Sequence, residues 1–170
     1  MKKYLIFFSL ILVLVGCTNA KEVKISDIFI SQNGAYSGGF ENAGGEIFSE
    51  VVERDDKVFY IEKISDTATT VTKVYMLEKD FIRLIFIGET ENVDLSSLKL
   101  NKDEVVLKKP FKKNEKWESQ GNKYTIIDSY PEDKKLVLIV EKIYPSGMVE
   151  IIKYKENIGV LEKKSFITKI

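Results

Sequence analysis

The 170-residue chain has no histidine, one cysteine, one tryptophan, three prolines and a formal net charge of zero. Without histidine, imidazole acid–base chemistry, the serine–histidine triad and the commonest zinc ligand sets are excluded. One cysteine excludes a disulfide framework, so packing alone must hold the fold. Twenty-six basic residues against 26 acidic ones exclude a polyanion binder of the strongly basic kind, and nucleic acid with it. No D-x-D-x-D-G loop is present for oxygen-only metal binding, and neither metal nor cofactor is expected. No apolar run reaches the ~20 residues that a membrane-crossing helix needs.

The longest such run is Tyr4 to Val15, whose only strongly polar member is Ser9, preceded by Lys2 and Lys3. A positive start and a short apolar stretch without a polar helical face read as a secretory signal. Leu14-Val15-Gly16-Cys17 then resembles the lipobox of bacterial lipoproteins, with cleavage between Gly16 and Cys17. The resemblance implies a diacylglyceryl thioether on Cys17 and, often, an acylated new amino terminus. Two or three acyl chains anchor stably where one gives marginal binding. The expected location is the cell envelope: the outer membrane in a Gram-negative cell, favoured there by Thr18 in place of aspartate, or the outer face of the plasma membrane in a Gram-positive one.

Without residues 1–16 the chain keeps 24 basic and 26 acidic residues. Residues 17–33 read as a lipidated tether that becomes an edge strand or packed segment at Ile25, Ile28, Phe29 and Ile30. Residues 34–170 read as one β domain. Five of the ten glycines fall between Gly34 and Gly45, as turn and edge-strand punctuation. Gly39 and Gly44 have phosphate-loop spacing, but Gly45 and Glu46 stand where Lys and Ser/Thr are required.

From Glu46 onward, runs rich in β-branched and aromatic residues recur about every ten positions, broken by Asp, Gly, Asn or Pro. The runs are Ile47–Glu53, Lys57–Ile64, Thr69–Leu77, Phe81–Ile87, 104–108, 116–120, 123–128, 135–143, 148–155 and 160–166. Phe81–Ile87 is apolar on both faces and reads as a central strand covered on both sides. In residues 88–103, Asp94 would cap one turn carrying Leu95 and Leu98, the one short helix expected. The expected fold is all-β: a single antiparallel meander of about ten strands forming a curled sheet, a sandwich or a partly open barrel.

Tyr36-Ser37-Gly38, Leu107-Lys108-Lys109-Pro110-Phe111-Lys112 with Trp117, and Tyr154-Lys155-Glu156-Asn157-Ile158-Gly159-Val160 resemble a group of small, largely uncharacterised surface lipoproteins from low-GC and related anaerobic bacteria. The resemblance spans most of residues 36–166. It implies a shared fold and carries over no catalytic residue.

Lys108, Lys109, Lys112, Lys113 and Lys116 surround Phe111 and precede Trp117. They read as a solvated hairpin with gatekeeping lysines, or as a cationic loop for an anionic polymer or lipid headgroup. Trp117 and Tyr124 flank Gly121-Asn122 and would pack across that hairpin or stack on a sugar. Lys109, Phe111, Lys112, Trp117 and Tyr124 are therefore the candidate ligand surface. Ser96 and Lys99 match S-x-x-K without the supporting K-T-G. Glu89 with Glu91, or Glu150 with Glu156, would serve glycoside chemistry only at a set separation in a cleft. The expected function is a membrane-anchored, non-enzymatic envelope lipoprotein: a binding or structural module for an envelope polymer, lipid or protein. The alternatives are a carrier of lipid or another hydrophobic ligand, and an inhibitor of a host hydrolase such as lysozyme acting through residues 108–117.

Overall fold

The computed structural model describes residues 23–29, 33–36, 45–66 and 68–167. The signal stretch, Gly16, Cys17, Gly39 and Gly44 lie outside the described residues. Among the described residues, a 3-10 turn, Ile25–Asp27, is followed by eleven strands. They are β1 Asn33–Tyr36, β2 Gly45–Arg54, β3 Lys57–Ser65, β4 Thr70–Leu77, β5 Phe81–Glu89, β6 Glu104–Lys108, β7 Lys116–Ser119, β8 Asn122–Glu132, β9 Lys135–Ile143, β10 Met148–Lys155 and β11 Gly159–Ile167.

The meander is split in two. Strands β1 to β6 form one antiparallel sheet in chain order, β7 to β11 a second, and neither closes into a barrel. The chain crosses between sheets once, through residues 109–115 and a cis Lys109–Pro110 bond. Hairpin turns explain this local order. Asp55-Asp56, Gln120-Gly121 and Asp133-Lys134 all take positive φ, the twist that suits two-residue hairpins.

Period-two alternation then decides what lies between the sheets. On β3, Tyr60 points inward while Phe59 and Ile61 point outward, and all three are buried. The inner core joins Tyr60, Leu77, Ile82 and Leu107 to Trp117, Ile126, Leu138 and Val140 of the second sheet. The outer cluster of Phe59, Ile61, Val74 and Ile85 is roofed by Val93, Leu95 and Leu98 from the 88–103 connection. A first sheet buried on both faces accounts for its near-continuous apolar runs.

Three expectations change in detail. Strand β5 is covered on both sides, yet it lies next to the edge strand β6. Residues 95–97 make a single turn and no helix. Asp94 caps that turn through Ser96 N (2.9 Å) and Ser97 Oγ (2.9 Å). Helical growth stops because Asn101 is tied to the Ile87 backbone at 3.0 and 2.7 Å. Pro131 and Glu132 belong to β8, with the turn at Asp133-Lys134. Proline is accommodated there because β7 pairs only with Asn122–Thr125, leaving that side of β8 an open edge. Ile25, Ile28 and Phe29 form a packed segment and are core residues. The Asp27 carbonyl accepts a hydrogen bond from Asn157 N at 2.6 Å, fastening this segment to the β10–β11 turn.

Candidate functional site

The sheets are joined along one seam, where β6 meets β7 and β8. Trp117 Nε1 donates to the Val105 carbonyl (2.8 Å), and Val105 N donates to Ser119 Oγ (2.8 Å). Away from the seam the inner faces part around a cleft of about 630 Å³. This lies within the ~300–1,000 Å³ usual for small-molecule sites.

Depth in the cleft follows position along the strands. Ile25–Phe29 plugs one end, where Val58 and Leu77 sit beside Lys24 and Lys109. Phe29 is the floor, with its ring 5.1 Å from Tyr60, 5.5 Å from Tyr75 and 5.7 Å from Tyr154. Two residues farther along β3 comes Glu62, paired with Lys73 at 3.0 Å. Two more bring Ile64, which forms the apolar rim with Ile47 and Ile87. The mouth therefore opens at the end of the domain opposite residues 25–29.

A polar network lines the second sheet. Glu104 Oε1 accepts from Lys142 Nζ (2.8 Å), Tyr124 OH (2.5 Å) and Asn122 Nδ2. The Lys142 ammonium also sits 4.2 Å from the Tyr144 ring centre and 5.5 Å from that of Tyr124. Tyr144 OH donates to Glu150 Oε2 (2.8 Å), and Glu150 Oε1 pairs with Lys163 (2.8 Å). Each cleft carboxylate thus has its own ammonium, and a fourth lining lysine, the exposed Lys102, leaves the lining with one excess positive charge.

Burial by itself would raise the Glu104 and Glu150 carboxyls. Lys142 with Tyr124 and Asn122, and Lys163 with Tyr144, outweigh it and hold both below the usual range. Burial first, then neighbouring carboxylates, pushes the phenols of Tyr60, Tyr75, Tyr124, Tyr144 and Tyr154 above their usual value. Among the described residues, the Tyr75 and Tyr154 hydroxyls make no hydrogen bond, although both side chains line the cleft. A buried tyrosine usually finds a partner. Tyr154 is only 3% exposed, and that exposure is onto the cleft it lines.

The residues expected to form a ligand surface are not brought to one face. Tyr124 is buried and lines the cleft; Trp117, also buried, stacks on it from behind. Phe111 packs against the core, Lys109 borders a groove beside Lys24, and Lys112 is exposed. Glu150 lines the cleft, whereas Glu156 accepts from Leu136 N at 3.0 Å and serves the β10–β11 turn. Ser96 is held by Asp94. Glu62, Lys73, Glu104 and Lys142 were not singled out by motif. Their signal is period two: Tyr60-x-Glu62-x-Ile64, Lys73-x-Tyr75, Asn122-x-Tyr124 and Glu150-x-Ile152-x-Tyr154 each set polar and aromatic groups on one strand face.

Two shallower grooves have no tyrosine in their lining. One of about 520 Å³ lies against Met76, Ile85 and Leu100, and one of about 460 Å³ lies beside Val58 and Leu77. No group of three or more His, Cys, Asp or Glu residues among those described is arranged to hold a metal ion. Compared with known proteins, the chain matches no family model, no curated protein and no solved structure.

Proposed function

We propose that this chain is a lipid-anchored envelope lipoprotein whose β domain binds a small ligand in the cleft between its sheets. The observation that carries the binding role is the 630 Å³ cleft itself, on whose wall the Tyr75 and Tyr154 hydroxyls make no hydrogen bond among the described residues. The anchor rests on the Lys2-Lys3 start, the apolar run and Leu14-Val15-Gly16-Cys17.

Binding is favoured over hydrolysis by the electrostatics. Glycoside cleavage needs one carboxyl kept protonated as general acid. Glu104 and Glu150 are instead both held ionised by lysines. The lysozyme-inhibitor reading needs residues 108–117 to protrude as a loop into an active site, and within them Phe111 packs on the core and Trp117 is buried. A hydrophobic-ligand carrier is the second reading, favoured by the rim of Ile47, Ile64 and Ile87.

Metabolic labelling with palmitate tests the anchor. Label on the wild type and none on Cys17→Ala supports it, and equal labelling with recovery of both proteins from cytosol refutes it. Native mass spectrometry of the protein released from membranes tests the cleft. A stoichiometric small molecule that leaves on collisional activation is expected.

A further inference from the structure

Resting on the reading of the interlayer cleft as a ligand site, we infer that its ligand is an uncharged, hydroxyl-rich ring compound: a saccharide of roughly two or three pyranose units. The wall chemistry selects this class. Above the Phe29 floor, where Tyr60 and Tyr154 are buried against it, the half-buried Tyr75 ring offers aromatic surface. A pyranose has an apolar C–H face to lay on such rings and a rim of hydroxyls to reach polar groups beside them. Polar partners stand at that level. The Tyr75 and Tyr154 hydroxyls make no hydrogen bond among the described residues, and Glu62 with Lys73 lies one step nearer the mouth.

Other ligand classes fit less well. An acyl chain would cover Glu62, Lys73, Glu104 and Lys142 without hydrogen-bonding to any of them. Desolvating polar groups with nothing in return costs several kcal/mol. A charged ligand finds Lys73, Lys142 and Lys163 already matched by Glu62, Glu104 and Glu150, and the one lining lysine without a carboxylate among the described residues, Lys102, is exposed. A neutral polyol satisfies donors and acceptors alike and disturbs no ion pair. The apolar rim of Ile47, Ile64 and Ile87 then excludes water from those bonds and strengthens them.

The full-length protein, held in a detergent without a sugar headgroup, is titrated with maltose, cellobiose and N,N′-diacetylchitobiose, and separately with sodium octanoate. Emission is read from Trp117, the sole tryptophan, which stacks on the cleft residue Tyr124. Saturable change with at least one disaccharide is expected. Tyr154→Phe and Tyr75→Phe, which remove only hydroxyls without internal partners, should keep the fold by circular dichroism and weaken that binding about tenfold each. Saturation by octanoate alone overturns the saccharide assignment and leaves the cleft as an apolar carrier site. Saturation by none of the four overturns both. Binding undiminished in both variants overturns the assignment of the two hydroxyls.

Discussion

The rings of Trp117 and Tyr124 lie parallel, 5.0 Å between centres and 2° between planes, as direct partners across β7 and β8. Their polar ends point to the same strand of the other sheet. Trp117 Nε1 reaches the Val105 carbonyl, and Tyr124 OH reaches the Glu104 carboxylate. This stack therefore both fills the core and rivets one sheet to the other, beside the cleft.

Trp117→Phe should separate these contributions. The ring contact largely survives, while the Val105 carbonyl loses its buried donor, a loss of about 1–3 kcal/mol. Trp117→Ala removes both and should cost about 3–5 kcal/mol. Urea denaturation of the two variants against wild type, followed by far-ultraviolet circular dichroism, measures the difference.

Glu104→Gln leaves the Lys142 ammonium buried without its carboxylate. Removing one partner of a buried pair costs about 3–5 kcal/mol. The double variant Glu104→Gln/Lys142→Met should recover a substantial part of that loss, because no uncompensated charge remains. A double-mutant cycle in urea gives the coupling.

The cleft tyrosines set an alkaline limit. Their folded-state pKa values lie above the unfolded value of ~10, so above that pH the unfolded chain releases phenolic protons that the folded one retains. Stability should be flat below pH 10 and fall above it by about 1.4 kcal/mol per pH unit for each such tyrosine. Tyrosinate absorbance near 295 nm should rise together with unfolding. On the acid side, Glu104 and Glu150 are lowered in the folded state. Their contribution is complete above the unfolded value of ~4.3 and is lost as pH falls through their folded values.

Lys134 takes φ +65° in the β8–β9 turn, a conformation that side chains other than Asn, Asp and Gly enter at a cost of roughly 1–2 kcal/mol. Lys134→Gly removes that cost and adds some unfolded-state entropy. A net stabilisation of roughly 0.5–1 kcal/mol is expected, read as a higher urea midpoint at unchanged slope.

Strand positions were legible because turn residues and β-branched runs act locally. Glu104–Lys108, Lys135–Ile143 and Met148–Lys155 are bounded as their sequence implies. The division into two sheets was not legible. No local feature of residues 109–115 says that β7 pairs with β8 while leaving β6. The cleft was hidden for a related reason: Glu62, Lys73 and Lys142 look like ordinary solvated charges on alternating strands. Only the facing sheet turns them into a lining. Ile25, Ile28 and Phe29 were visible as an apolar cluster, but their role as a plug depends on Tyr60, Tyr75 and Tyr154, brought in from distant strands.

The open cleft is the claim on which the functional account stands, and native-state thiol labelling tests it most directly. In a Cys17→Ala background the chain has no thiol. Ile152→Cys then places one on the cleft wall, and Ile126→Cys places one in the solid core. The account predicts that a small methanethiosulfonate labels position 152 at a rate independent of low urea concentrations, while position 126 reacts only as fast as global unfolding allows. Equal protection of both positions, rising and falling together with global stability, would show that the sheets pack solid and would contradict it.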